Sequence, residues 1–185
     1  LEIAIMNILY ITSSSAYYTN AIYDYDSSFS LFSKNNIFYF NIERNLFCFP
    51  LDDFDVIIFS YSFFALTNNF SSEFKKKISA FSGTKIAIFQ DEYNSFLRHR
   101  ENLKHFDITA IVTLVQEEHW NDVFQNEFSS LPHMHVLAGY IPEHLKTLYR
   151  ESIPLDQRKW HIGYRGRIMP HIYGKLTREK YEIGV

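Results

Sequence analysis

Residues 85–92 read KIAIFQDE, a mostly apolar run that passes directly into three polar residues. The apolar part, Lys85–Phe89, is nearly continuous rather than alternating, which is typical of a parallel strand covered by helices on both faces. Similar runs, rich in β-branched and aromatic residues, occur at Ile3–Ile11, Ile37–Ile42, Val56–Phe59, Ile108–Val115 and His135–Ala138. The sequence therefore predicts six strands.

Helical patterns separate several of these runs. Apolar residues recur at steps of four, four and three at Phe70, Phe74, Ile78 and Phe81, which is the period of an amphipathic helix. Further helices are predicted over Asn94–Phe106 and Glu117–Phe128, whereas the apolar spacing of Tyr17–Ser33 is poor. Strands alternating with helices predict an α/β fold, a three-layer Rossmann-like domain with a mostly parallel, doubly wound sheet. We expect this domain over residues 1–157, followed by a basic C-terminal segment over 158–185.

Composition limits the class of protein. The chain has 185 residues, of which 46% are hydrophobic and 21% charged, so it can form a folded core. Its net charge of −3 argues against a nucleic-acid binder. The single cysteine, Cys48, cannot form an internal disulfide, so we expect a cytoplasmic protein. No apolar run approaches the roughly 18 residues of a membrane span, so we predict no transmembrane segment and leave peripheral membrane association open.

The loop after the first strand carries hydroxyl groups at an edge where such sheets bind ligands. Residues 12–20 read TSSSAYYTN. The chain has neither a G-x-G-x-x-G fingerprint nor a P-loop, so we expect no dinucleotide or other bound cofactor. Ser13, Ser14 and Ser15 either line a pocket with hydroxyl and amide donors or cap a helix.

The loop after the fourth strand carries two adjacent carboxylates, Asp91 and Glu92, preceded by Gln90. Such carboxylates supply a general base or bind sugar hydroxyls, although Asp91 or Asn94 could instead cap the next helix. Neighbouring side chains diverge, so we expect chemistry from one carboxylate at most. The motif H-M-H at 133–135 has no carboxylate or cysteine close by in sequence, and we predict no metal site.

The C-terminal segment is rich in bases. Residues 161–184 read HIGYRGRIMPHIYGKLTREKYEIG. Gly166 allows a tight backbone between Arg165 and Arg167, so the two guanidinium groups can converge on one phosphate or carboxylate. A solvated segment with no ligand is the alternative.

This segment resembles a signature of bacterial two-domain glycosyltransferase-like proteins of the GT-B type, in which IGYRGR-x-x-P is often followed by GxLxxEK. The sequences FQDEY at 89–93 and GYIP at 139–142 resemble other elements of that group. Here Met169 precedes the proline, and His171 and Ile172 fill the variable positions that follow it. The resemblance covers most of the chain loosely and is specific over 161–184.

The resemblance implies that the chain is the acceptor-side half of such an enzyme, used in polysaccharide biosynthesis, with the nucleotide-sugar half beyond Val185. It would act on a cell-surface glycan or related acceptor, without a metal, and would be inactive alone. Asp91 or Glu92 would bind or deprotonate the acceptor, and Arg165 and Arg167 would attract the donor diphosphate or an anionic acceptor. The remaining expected substrate-binding residues are Ser13, Ser14, Ser15, Gln90, Tyr93 and Tyr164. The alternative is a non-catalytic Rossmann-like module that binds a glycan, an anionic ligand or a protein partner.

Overall fold

A computed structural model of the chain describes residues 4–17, 19–43, 47–66, 70–92, 96–137, 139–150 and 152–160. The chain divides into two compact units, Leu1–Ile141 and Pro142–Val185. The boundary expected after residue 157 stays a prediction, because residues 161–185 lie outside the described part of the chain.

One sheet of six strands forms the centre of the first unit, in the order β2-β1-β3-β4-β5-β6. Every neighbouring pair is parallel. In chain order the strands are β1 (Asn7–Thr12), β2 (Asn36–Asn41), β3 (Val56–Phe59), β4 (Thr84–Ile88), β5 (Ala110–Thr113) and β6 (His133–His135). This arrangement, with helices between strands, confirms the predicted Rossmann-like α/β fold.

Helices connect most of the strands. In chain order the helices of the first unit are α1 (Asn20–Phe32), α2 (Tyr61–Leu66), α3 (Ser72–Ala80), α4 (Phe96–His105) and α5 (Trp120–Phe128). Two short 3₁₀ helices, Ser14–Ala16 and Glu117–His119, follow β1 and β5. Helix α3 begins where the sequence offers a cap, because the Ser71 side chain accepts a hydrogen bond from the Phe74 N–H at 3.1 Å.

Alternate residues of the strands enter two cores, one on each face of the sheet. Leu9 and Ile11 of β1 join the larger core, and Ile8 and Tyr10 join the smaller one. The larger core also contains buried residues of α2 to α5, among them Phe63, Phe74, Leu103 and Phe124, and Phe106 directly after α4. Tyr25 and Phe29 of α1 pack against the smaller core. Residues buried on both faces explain why the strand sequences read as continuous apolar runs.

Phenylalanine fills much of the larger core, a role that leucine has in most proteins. The Phe106 ring is fully buried and stacks on Phe59 at 5.5 Å, with Phe63, Phe70 and Phe74 within 6 Å of it, centroid to centroid. The high aromatic content of the sequence is therefore core material to a large extent.

The elements that differ from the sequence-based prediction include β6, α2 and α1. The last strand is His133–His135, earlier than the predicted His135–Ala138. The sequence predicts no helix directly after Val56–Phe59, but α2 begins at Tyr61. Helix α1 lies in the segment Tyr17–Ser33, whose apolar spacing is poor. The spacing is poor because one of the two buried residues of the helix, Asp26, is a carboxylic acid, and only the other, Ile22, is apolar.

The second unit contains α6 (Glu143–Arg150) and a 3₁₀ helix, Leu155–Gln157. Within it, Arg158 Nε donates to the Ile153 carbonyl at 2.7 Å. None of the helices in the described part of the chain combines the length and the apolar character needed to cross a bilayer.

Candidate functional site

The order of the strands reverses between β1 and β3. From β1 the chain goes outward to β2 and then returns to the other side of β1 to form β3. In open parallel sheets, ligands bind at the carboxyl ends of the two strands that flank such a reversal. Ser13–Ser15 follow β1 at this point, and Ser60 and Ser62 follow β3. We call residues Ser13–Ser15 the Ser13 loop.

The Ser13 loop binds a carboxylate of the chain itself, that of Glu43. Glu43 Oε2 accepts from the Ser15 N–H at 2.7 Å and from the Ser14 hydroxyl at 3.1 Å, and Oε1 accepts from the Ser15 hydroxyl. Glu43 comes two residues after β2, and Thr12 of β1 pairs with Asn41 of β2. Parallel pairing of β1 with β2 therefore brings the serines and the glutamate together.

The direction of the pKa shift of Glu43 indicates that the loop favours the ionised carboxylate. Partial burial raises the pKa of the Glu43 carboxyl. The Ser15 hydroxyl and N–H, together with the hydroxyls of Ser13 and Ser14, lower this pKa by more than burial raises it. The net pKa lies below its ordinary value. Hydrogen bonds to a charged form produce this direction of shift. The loop is thus built to hold an anionic oxygen pair.

Ser13 is the buried end of this loop. Its side chain is fully buried, and within the described residues its Oγ has no hydrogen-bond partner. Its backbone N–H donates to Ser62 Oγ at 3.1 Å. The Ser62 hydroxyl also contacts the Ser60 hydroxyl, and the Ser62 N–H donates to Ser60 Oγ at 3.1 Å. The loops after β1 and β3 are therefore joined by hydroxyl groups.

A buried carboxylic acid, Asp26 of α1, lies beneath these loops. Its Oδ1 accepts from the Tyr10 hydroxyl at 2.9 Å, and its Oδ2 accepts from the Tyr17 hydroxyl at 2.9 Å and the Ser62 hydroxyl at 3.5 Å. We call these residues, with Ser60, the Asp26 network. The network links α1 to β1 and to the loops after β1 and β3, and so fixes the position of the Ser13 loop.

Burial raises the pKa of the Asp26 carboxyl to about 6, although the hydroxyls of Tyr10, Tyr17, Ser62 and Ser60 lower it in part. Burial also raises the pKa of the Tyr10 and Tyr17 hydroxyls, and the neighbouring Asp26 charge acts in the same direction. A buried acid with such a pKa beside a strand reversal is a typical feature of functional sites.

The predicted carboxylates after β4 differ in their surroundings. Asp91 is exposed, whereas Glu92 is 7% exposed. Glu92 Oε1 accepts from the Leu114 N–H at 2.9 Å and from the Thr113 hydroxyl. Glu92 therefore joins the loops after β4 and β5. Gln90, directly after the strand, is half-buried.

These carboxylates and the Ser13 loop lie along the same edge of the sheet. Strand β3 separates β1 from β4, and both pairings are parallel. At about 4.8 Å between neighbouring strands, the ends of β1 and β4 are roughly 10 Å apart. A sugar-sized ligand spans that distance. Four of the predicted site residues, Tyr93, Tyr164, Arg165 and Arg167, lie outside the described residues.

Sequence reasoning missed Asp26 and Glu43. Asp26 interrupts the apolar pattern of α1, and an acid on the buried face of a helix is the signal that could have drawn attention to it. Glu43 carries no local signal, because its partners are 28 and 29 residues away in sequence.

Histidine and metal chemistry find no support at this edge. Among the described residues, no group of three or more His, Cys, Asp or Glu side chains could hold a metal ion. His133 stacks on Trp120 at 3.7 Å between centroids, and its Nε2 is 2.8 Å from a Glu117 carboxylate oxygen.

Comparison of the chain with protein-family models, with curated proteins and with solved structures gives no match. The assignment of this candidate site therefore depends on the geometry described above.

Proposed function

We propose that the chain is the acceptor-side domain of a GT-B glycosyltransferase, which transfers sugar from a nucleotide-sugar to a cell-surface glycan or a related acceptor. One observation carries the proposal: the Ser13 loop and the Gln90–Glu92 segment follow strands that end at the same edge of one parallel sheet. That edge is where Rossmann-like sheets bind ligands. The resemblance of residues 161–184 to the GT-B signature supports the same function.

In such a transfer, an acceptor hydroxyl attacks the anomeric carbon of the donor, and the nucleoside diphosphate leaves. Asp91 is the better candidate for the base that removes the hydroxyl proton, because it is exposed at the strand end. The Glu92 carboxylate is buried against Thr113 and Leu114, so we assign it a positioning role. Arg165 and Arg167 are proposed to stabilise the charge that develops on the leaving diphosphate.

The test is donor turnover by the protein in its full encoded length, measured as release of nucleoside diphosphate from a panel of UDP-, GDP- and dTDP-sugars with glycan acceptors. We expect Asp91→Asn to lower kcat by roughly 100-fold or more with little change in KM. Asp52→Asn removes an exposed carboxylate before β3, at the opposite edge, and serves as the matched control. An unchanged kcat in Asp91→Asn would refute the assignment of the base.

Substitution of the arginines tests the donor contact in the same assay. Arg165→Ala and Arg167→Ala should each lower the rate of transfer, because each removes a cation from the developing negative charge. Equal rates in wild type and both variants would exclude this role.

A non-catalytic binding module is the second candidate. This function is favoured because three carboxylates near the site accept hydrogen bonds from other residues of the chain, as structural groups do. They are those of Asp26, Glu43 and Glu92. This function predicts stoichiometric binding of a glycan, an anionic ligand or a protein partner and no donor turnover by the full-length protein.

A further inference from the structure

We infer that the Ser13 loop is a binding site for the carboxylate of an acidic sugar, and that the Glu43 carboxylate fills this site in the structure. The inference names the ligand class for the site proposed above. It rests on a ligand-binding role for this edge of the sheet but does not require sugar transfer.

The first argument is the set of donors around the Glu43 carboxylate. One oxygen accepts from the Ser15 N–H and the Ser14 hydroxyl, and the other accepts from the Ser15 hydroxyl. An ionised carboxylate has about four lone-pair positions for hydrogen bonds. The loop thus satisfies most of the capacity of a carboxylate with donors that lie next to each other in sequence.

The second argument is the buried Ser13 hydroxyl. Its side chain has no exposed surface, and its Oγ has no hydrogen-bond partner among the described residues. It nevertheless lies close enough to the Glu43 carboxylate to contribute to the lowering of the pKa of that group. A buried polar group without a partner is costly. A ligand carboxylate that enters more deeply than the Glu43 side chain can reach would supply the missing acceptor.

The third argument is that Glu43 can leave without disturbing the fold. Glu43 is an exposed residue just beyond β2, at the edge of the sheet. Its backbone N–H donates to Asn41 Oδ1 at 3.0 Å, so the main chain is anchored independently of the side chain. Rotation of the side chain alone would open the loop to a ligand.

The charges nearby favour a single negative charge on that ligand. The donors that hold the Glu43 carboxylate are neutral hydroxyl and amide groups. Asp26, connected to Ser13 through Ser62, lies beneath the loop and carries a negative charge at neutral pH. A dianionic phosphate would meet that repulsion without a compensating cation from these groups. A carboxylate, planar and singly charged, matches the group already bound.

The test compares binding of glucuronate and glucose to the full chain by NMR, following the backbone amides of Ser13, Ser14 and Ser15. We expect Glu43→Ala to bind glucuronate at least about tenfold more tightly than wild type, because an internal competitor with a high effective concentration is removed. Glu43→Gln, which keeps the shape of the side chain, should show a smaller gain. Glucose should leave these amides unchanged.

Two further variants locate the site. Ser15→Ala in the Glu43→Ala background should abolish the gain, and Asp52→Asn, a loss of charge at the opposite edge, should bind as wild type does. Methyl phosphate should bind more weakly than glucuronate.

Three results would overturn the inference: no glucuronate binding by Glu43→Ala, equal binding by Glu43→Ala and wild type, or tighter binding of methyl phosphate than of glucuronate. Because binding is measured without a donor, its failure is distinct from an absence of sugar transfer.

Discussion

The buried carboxylic acid Asp26 makes a quantitative prediction about stability and pH. The carboxyl is 1% exposed, and burial raises its pKa from an ordinary 3.8 to about 6. A difference of about 2 pH units corresponds to about 3 kcal/mol of free energy between the folded and unfolded states. The substitution Asp26→Asn removes the titration and keeps the size of the side chain.

The sign follows from which state binds the proton more tightly. The folded state holds the Asp26 proton up to a pH of about 6, whereas the unfolded chain releases it near 3.8. The stabilisation from this group is therefore complete below pH 3.8 and is lost as the pH rises through 6. Relative to Asp26→Asn, the wild type should lose about 2 kcal/mol of unfolding free energy between pH 4 and pH 7, because the unfolded chain has already released more than half of this proton at pH 4.

Urea unfolding of both proteins between pH 4 and pH 8 measures this difference. Subtracting the variant from the wild type cancels other titrating groups, including Glu43, whose lowered pKa acts in the opposite direction. Asp24→Asn, two residues earlier on α1, is the matched control for the loss of a carboxylate from this helix.

A carbon-detected NMR titration of the Asp26 carboxyl gives a direct measurement, with an expected midpoint of about 6. A difference between wild type and Asp26→Asn that stays constant from pH 4 to pH 7 would refute the reasoning. So would a difference that grows in favour of the wild type as the pH rises, because the hydroxyls would then outweigh burial.

Two other substitutions test the core and a helix terminus by urea unfolding at constant pH. Phe106→Ala should lower the unfolding free energy by about 3–5 kcal/mol, because loss of the fully buried ring leaves a cavity. The control, Phe32→Ala, changes a side chain that is 68% exposed and should lower it by less than about 1 kcal/mol. Similar losses in both variants would contradict the assignment of the core. Ser71→Ala removes the acceptor for the Phe74 N–H at the start of α3 and should lower the unfolding free energy by about 1 kcal/mol. The control, Ser72→Ala, should lower it by less. The reverse order would show that this cap does not stabilise the helix.

Much of the sheet was predictable from sequence. Val56–Phe59 was predicted with the bounds that the structure has, and Lys85–Phe89 is displaced by one residue from β4. Burial on both faces leaves a continuous apolar run, which a local reading detects. Helix α1 was harder because Asp26 occupies its buried face, where the pattern calls for an apolar residue.

The candidate site was predictable only in part. The Ser13 loop and the Gln90–Glu92 segment were found because polar residues after an apolar strand are a local feature of the sequence. The distinction between exposed Asp91 and buried Glu92 depends on Thr113 and Leu114, which contact Glu92 from the end of β5. Contacts of that kind have no local signature.

The sequence by itself determined most of the apolar runs that form the strands and which polar segments follow a strand. Burial depends on the apolar character of each residue and its neighbours and is not directional, so a local pattern specifies it. Only the tertiary structure decided that β1 lies between β2 and β3. That order brings Glu43 to Ser15 and Ser62 to Ser13. Strand pairing joins residues that are far apart in the chain, through backbone hydrogen bonds that are the same for every sequence. The sequence of a single strand therefore does not determine which strand pairs with it.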